Sequence, residues 1–262
     1  MQKTILITGS TDGIGLLTAQ MLAEQGHEIL LHGRSPAKLD AALAEVGGTS
    51  EGYIADLGSA ADVKRLASEV RAKHDRLDVL INNAGVLKAS TVRTPDGFDI
   101  RFAVNTFAPL LLTRLLLPIV PSDGRVINLS SAAQAPVDPA AMAGERSFDD
   151  MGAYAQSKLA ITIWSQELAK ELPQGPAIIA VNPGSLLASK MVKEGFGVAG
   201  NDLSIGAEIL CRAALGEGFA DASGRYFDND SGRFAPPHAA AQNPSHVSAV
   251  MQSIETALQT FT

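Results

Sequence analysis

Cysteine occurs once in this chain, at Cys211, which excludes an internal disulfide. It lies in the apolar, helix-like run Ile209 to Leu215, where a buried structural thiol is expected rather than a nucleophile. Clustered lysine and arginine are missing too. With 21 basic against 28 acidic residues the formal net charge is −7, so no nucleic-acid surface is expected. No group of His, Cys, Asp and Glu has metal-ligand spacing, so no metal site is expected. No uninterrupted apolar run reaches the ~20 residues that a membrane-spanning helix needs, because the most apolar segment, Pro109 to Val120, is broken by Arg114 and Pro118. Met1-Gln2-Lys3 leads directly into an apolar run, which leaves no room for a signal peptide and makes the cytoplasm the expected compartment.

What is present is an alternation of two periodicities. Short apolar runs at Glu28–His32, Tyr53–Asp56, Val79–Ile81, Val126–Leu129, Ile178–Val181 and Tyr226–Phe227 read as strands. Between them lie helical patterns such as Pro36–Val46, Ala60–His74 and Met151–Leu172. This order predicts an α/β fold with a doubly wound parallel sheet, and 262 residues fit a single domain over 1–262. The stretch 132–150, rich in Ala, Pro, Gly and Asp, reads as an extended loop bordering a substrate, and 185–215 reads as a lid region.

Two segments carry chemistry. The run Thr4 to Thr8 is followed at once by Gly9-Ser10-Thr11-Asp12-Gly13-Ile14-Gly15 and then by a helical pattern. Strand, glycine turn, helix is the order that brings backbone N–H groups at a helix start against a pyrophosphate. An ordinary glycine-rich turn is the alternative for this segment taken alone. The second segment is Tyr154-Ala155-Gln156-Ser157-Lys158, whose spacing puts a phenol and an ammonium on one helix face. Such a pair can make a tuned acid or base, or simply decorate a solvated helix.

Taken together, the GxxxGxG spacing and the Tyr154/Lys158 pair resemble the short-chain dehydrogenase/reductase family, a Rossmann-fold family. The resemblance runs from about residue 4 to 190. Asn82-Asn83-Ala84-Gly85, Asp56-Leu57, Asn105, Ser131 and Pro183-Gly184 all stand in that family's motif order. The 23 positions between Ser131 and Tyr154, with Ser147-Phe148 and Ser223-Gly224-Arg225-Tyr226-Phe227, are similar to the retinol-dehydrogenase-like branch. The resemblance implies a nicotinamide dinucleotide held by Gly9, Ser10, Asp12, Gly13, Ile14, Gly15, Asp56, Leu57, Asn83, Ala84, Gly85, Tyr154, Lys158, Pro183 and Gly184. It also implies a catalytic set of Asn105, Ser131, Tyr154 and Lys158. In that set Tyr154 exchanges a proton with the substrate oxygen, Ser131 binds that oxygen, Lys158 lowers the Tyr154 pKa and Asn105 supports a water. Ser130 is the alternative to Ser131, and Asn105 may be read instead as capping a bulge.

Family members that prefer NAD carry an acidic residue at the end of the second strand, where this chain has Gly33-Arg34-Ser35. NADP(H) is therefore favoured over NAD(H), with Arg34 on the 2′-phosphate and Ser10 and Ser35 as further donors; a solvated loop arginine is the alternative. Leu187, Met191, Val192 and Phe196, with Met142 and Phe148, suggest an apolar pocket for a hydrophobic aldehyde, ketone or alcohol, or else the packing of a lid. Ser189 is the available hydroxyl after Pro183-Gly184. An epimerase or dehydratase would need a longer substrate domain, and a non-catalytic NADP-sensing regulator remains the rival of another class. The run Phe102 to Leu117 is apolar on nearly every side, which predicts a homodimer or homotetramer with Arg114 near the interface, unless the insertion or the carboxy-terminal segment covers that face.

Overall fold

A computed structural model describes residues 1–188, 197 and 199–261 of the chain. Eight strands form one sheet in the order β3-β2-β1-β4-β5-β6-β7-β8. They are β1 (Thr4–Ile7), β2 (Glu28–Gly33), β3 (Ser50–Ile54), β4 (Val79–Asn82), β5 (Arg125–Leu129), β6 (Ala177–Asn182), β7 (Tyr226–Asp228) and β8 (Arg233–Ala235). All neighbours pair in parallel except β7 and β8, which form an antiparallel edge. The doubly wound Rossmann fold expected from the alternation is the one observed; the short strand β8 carries no run long enough to be read from sequence.

The apolar strands are buried on both faces, and their alternation sorts them. Leu6, Leu30, Leu80, Val126 and Ile178 face one side, packed with α3 (Ala60–Lys73), α5 (Ala108–Leu116) and α7 (Asp150–Glu171). Ile5, Ile29, Val79, Ile127 and Ile179 face the other, with α1 (Gly13–Glu24), α2 (Pro36–Val46) and α8 (Leu203–Leu215). Local signals fix the helix starts. Ser35 accepts from the Lys38 N–H ahead of Pro36, Ser59 accepts from Asp62, and Asp149 accepts from Gly152 at the head of α7. Cys211 lies buried on α8, and burial pushes its thiol up to about 11, as suits a structural thiol.

The expected lid narrows here. Residues 203–215 are α8, a sheet-covering helix packed against α1, so only the segment before it is open to such a role. Ser189, Met191, Val192 and Phe196 lie outside the described residues. Met142, at the end of the short helix α6 (Pro139–Met142), is fully buried in the core instead of lining a pocket, whereas Phe148 is exposed.

The apolar run after β4 is one continuous helical segment, Ile100–Ile119, made of α4 (Ile100–Phe102), a π-turn (Ala103–Phe107), α5 and a 3₁₀ turn (Leu117–Ile119). Its 20 residues are apolar enough to cross a bilayer, yet 67% of its most apolar window is buried within the fold. α3 and α7 supply most of that cover, and α9 (Pro244–Thr260) adds to it: Val250, Ile254 and Ala257 join the same core cluster, and Phe261 meets the rings of Phe98 and Phe107 at 6.4 and 6.0 Å. Arg114 pairs with Glu255 of α9. That pair is half-exposed and contributes at most about 1 kcal/mol, so the buried aromatic contacts dominate this closure. The carboxy-terminal segment thus covers part of the surplus apolar face that suggested a twofold mate, while Leu111, Leu115 and Leu117 stay half-buried.

Candidate active site

The strand order reverses between β1 and β4, and the loops leaving their carboxyl ends form the crevice where an open α/β sheet binds ligands. After β1 the chain enters Gly9 at φ 65 and Gly13 at φ 59, both in the left-handed region. A Cβ on Gly15 would lie 2.4 Å from Asn83 Nδ2 and 2.4 Å from Gly9 O, so close packing requires glycine there. A Cβ on Gly13 would meet nothing within 4 Å, which leaves an open cradle at the start of α1. Asp12, the N-cap of α1, makes no side-chain cap bond and pairs with Lys38 at 2.9 Å. The first N–H groups of α1 are therefore left uncapped by it, and the helix dipole favours an anion there. On this geometry the residues fit the diphosphate of a dinucleotide.

The two loops are stapled together by Asn83. Its Nδ2 donates to Thr8 O at 2.8 Å and Gly9 O at 2.9 Å, and the Ala84 N–H donates to Thr8 Oγ1. A second staple was not foreseen from sequence. His32 Nδ1 accepts from the Gly9 N–H at 3.1 Å, so Nε2 carries the proton and donates to Ala55 O at 3.1 Å. Burial pulls its pKa down to about 4, which keeps the ring neutral and the acceptor available. A lone strand-end histidine gives no sequence signal for this, since both partners are backbone groups from other segments.

Several expected cofactor contacts are altered. Ser10 is fully buried, with Oγ donating to Ile7 O and accepting from the His32 N–H, so its hydroxyl serves the turn and cannot reach a phosphate. Leu57 points into the core and offers a ligand only its backbone. Asp56 is exposed, with Oδ1 accepting from Gly58 N–H at 2.8 Å. Ile14 is half-buried against the core, and Arg34 is exposed beyond β2. A Cβ on Gly33 would lie 2.4 Å from Thr11 Cγ2, so an acid at that position would displace Thr11. Pro183-Gly184 follows β6 and is tied to the β7–β8 hairpin by Asn229 Nδ2, which donates to Pro183 O at 2.9 Å.

Asn105, Ser131, Tyr154 and Lys158 are brought together by β5, α7 and the π-turn. Ser130 and Ser131 part ways at the end of β5. Ser130 is buried and bonded to Thr162 Oγ1 at 2.7 Å, whereas Ser131 lies beside Tyr154 and draws its pKa down. Ser131 Oγ also accepts from the Ala133 N–H at 3.1 Å, which turns its own proton outward. Lys158 is buried and donates from Nζ to Leu129 O at 2.7 Å, 5.6 Å from the centre of the Tyr154 ring.

The electrostatics differ from the expectation. Burial raises the Tyr154 pKa, and the hydrogen bond with Ser131 pulls it back. Burial also lowers Lys158 to about 8, with its ammonium committed to a carbonyl. Ser131 thus draws the phenol toward greater acidity, and Lys158 stands over the Tyr154 ring, where a cation favours the phenolate. Asn105 is fully buried in the π-turn, donating from Nδ2 to Val86 O at 3.0 Å and Ser157 Oγ at 2.9 Å while Oδ1 accepts from Val86 N–H. Both amide protons are spent, so any support it gives a water comes from a carbonyl oxygen. π-turns of this kind recur at functional sites, and here the extra residue re-aims the helix toward α7.

Comparison with known proteins places this architecture. The short chain dehydrogenase profile matches residues 3–196. The chain is 32% identical to human retinol dehydrogenase 13 over 271 aligned positions, covering 90% of this chain and 79% of that protein. A crystal structure of a putative uncharacterized protein from Mycobacterium paratuberculosis superposes with a TM-score of 0.81 at 28% identity, covering 100% of this chain and 95% of that one. Landomycin C-6 ketoreductase LanV, solved with NADP and rabelomycin, does so with a TM-score of 0.70 at 26% identity, covering 88% and 95%. The fold and site define a nicotinamide-dependent oxidoreductase acting on alcohol or carbonyl groups. This chain belongs to the short-chain dehydrogenase family, and its relatives by sequence are of the retinol-dehydrogenase-like branch.

Proposed function

We propose that the chain is an NADP(H)-dependent oxidoreductase, one domain over residues 1–262, that interconverts a small hydrophobic aldehyde or ketone with its alcohol. The observation that carries the reading is Tyr154 and Lys158 set side by side on α7, with Lys158 Nζ 5.6 Å from the centre of the Tyr154 ring and Ser131 near enough to draw the Tyr154 pKa down. When bound, the nicotinamide supplies or accepts the hydride. Tyr154 gives its proton to the substrate oxygen in reduction and takes it back in oxidation. Ser131 donates to the same oxygen as charge develops on it, and Lys158, linked to solvent through a water that Asn105 supports, returns protons to Tyr154. The first N–H groups of α1, Asp12 to Gly15, Asn83 to Gly85, Asp56 and Pro183-Gly184 hold the dinucleotide.

The test is NADPH oxidation against a panel of retinal, a medium-chain aliphatic aldehyde and an aromatic ketone. Turnover of none of the three, with NADPH still bound, would favour the sensing regulator. The cytoplasm remains the compartment we propose from the composition.

The cofactor preference rests on Arg34. NADPH is expected to bind more tightly than NADH by a charge-assisted contact of about 1.5–3 kcal/mol between the guanidinium and the 2′-phosphate. Titrating both cofactors by fluorescence checks this: equal affinities, or an Arg34→Ala variant that keeps the preference, would remove Arg34 from the site.

The carboxy-terminal cover replaces the expected mate in our reading of assembly. Light scattering at micromolar concentration is expected to give a mass near 27.3 kDa. Twice that mass would mean that a further surface, outside the face under α9, joins two copies.

A further inference from the structure

Three separate segments converge on one backbone carbonyl beside the candidate active site. Ser131 O accepts from Gln134 Nε2 at 3.0 Å and from the Tyr226 hydroxyl at 3.1 Å. A carbonyl oxygen has two lone pairs, and both are filled. Gln134 comes from the loop after β5, and Tyr226 opens β7 on the far side of β6. The Gln134 amide is itself oriented: Oε1 accepts from the His238 N–H at 2.9 Å, which leaves Nε2 turned to Ser131 O, with Ser130 Oγ at 3.3 Å. A flipped amide would set N–H against N–H and oxygen against oxygen. His238 begins the carboxy-terminal segment leading to α9, and His246 on α9 pins the same loop by accepting from the Val137 N–H at 3.3 Å.

We propose that Gln134 and Tyr226 are positioning residues for Ser131, and that the carboxy-terminal segment sets their geometry through the His238 N–H. The proposal rests on the reading of Ser131 and Tyr154 given above. With its carbonyl gripped by two donors and its Oγ accepting from Ala133, Ser131 is held in place beside Tyr154. Tyr226 is buried and its pKa is raised well above the ordinary tyrosine value, first by burial and then by Asp228 and Asp230, so its hydroxyl stays a donor across the working range.

The test uses Gln134→Met and Tyr226→Phe, which remove one donor each without adding charge, assayed in the full chain with NADPH and the panel compound turned over fastest. Each is expected to lower kcat about tenfold while leaving the NADPH affinity unchanged, because misplacing a reacting group acts on the chemical step. A pH profile in the alcohol-oxidising direction adds a readout that a merely structural role would not move. Loss of the Ser131 bond lets the Tyr154 pKa rise, so the inflection should shift to higher pH in both variants. In a Ser131→Ala background neither substitution should reduce kcat further.

Unchanged kcat in both variants, or losses that simply multiply with that of Ser131→Ala, would overturn the relay while leaving the reading of the site intact. Full activity in Ser131→Ala itself would overturn both. If Gln134→Met fails to fold, Tyr226→Phe, which deletes a single oxygen, carries the same comparison.

Discussion

Replacing Tyr154 by Phe should reduce turnover by about 10²- to 10⁴-fold while cofactor binding stays nearly unchanged. The ring packs beside Lys158 and is retained in the variant, whereas the hydroxyl is the atom that bonds Ser131 and exchanges the proton. The loss should fall on kcat rather than KM, since the proton transfer is completed only in the transition state. Steady-state kinetics with NADPH and the best panel compound, alongside a cofactor titration, make the check. A variant that keeps most of its activity would end the proposed mechanism, because Ser131 has the wrong acidity to take over and Ser130 is turned into α7.

The second large effect concerns Gly15. In Gly15→Ala the added carbon would sit 2.4 Å from Asn83 Nδ2 and from Gly9 O, so the staple between the β1 and β4 loops must open. Overpacking of this kind costs about 2–3 kcal/mol, a fall of roughly 5 to 10 °C in Tm for a domain of this size, and the cofactor should be lost with the staple. Gly13→Ala is the contrast. Nothing lies within 4 Å of its Cβ position, so the cost there is the strain of φ 59 alone, about 1 kcal/mol, yet the methyl enters the open cradle. Thermal melts and NADPH titrations should therefore separate the pair: both variants bind poorly, and only Gly15→Ala melts early. Wild-type melting and binding in Gly15→Ala would remove the close-packing argument.

The fold was legible because its signals are local. Strand periodicity, the Ser35, Ser59 and Asp149 caps and the glycine turn each lie within a few residues of what they control. The members of the site were legible in the same way, from short motifs. Their electrostatics were not, because acidity depends on burial and on partners distant in sequence. Tyr154 meets Ser131 from across the insertion, and Lys158 is drawn to Leu129 O. Ser10 shows the same limit. Its place in the motif suggested a phosphate contact, yet a hydroxyl three residues past β1 finds the Ile7 carbonyl before it finds solvent. The part that α9 plays near Phe107 was legible only as an alternative: α9 supplies apolar residues at helical spacing, but periodicity does not say which face of the molecule receives them.

The burial of Phe261 against Phe98 and Phe107 has a bearing on how the chain is made. Long-range contacts of this kind form late, since the loop between the partners must close before they reward it. The half of the core around Phe107 cannot finish packing until residue 261 has cleared the ribosome. Until then the apolar helix Ile100–Ile119 stays partly bare, and the growing chain is exposed there to chaperones and to association with its own kind.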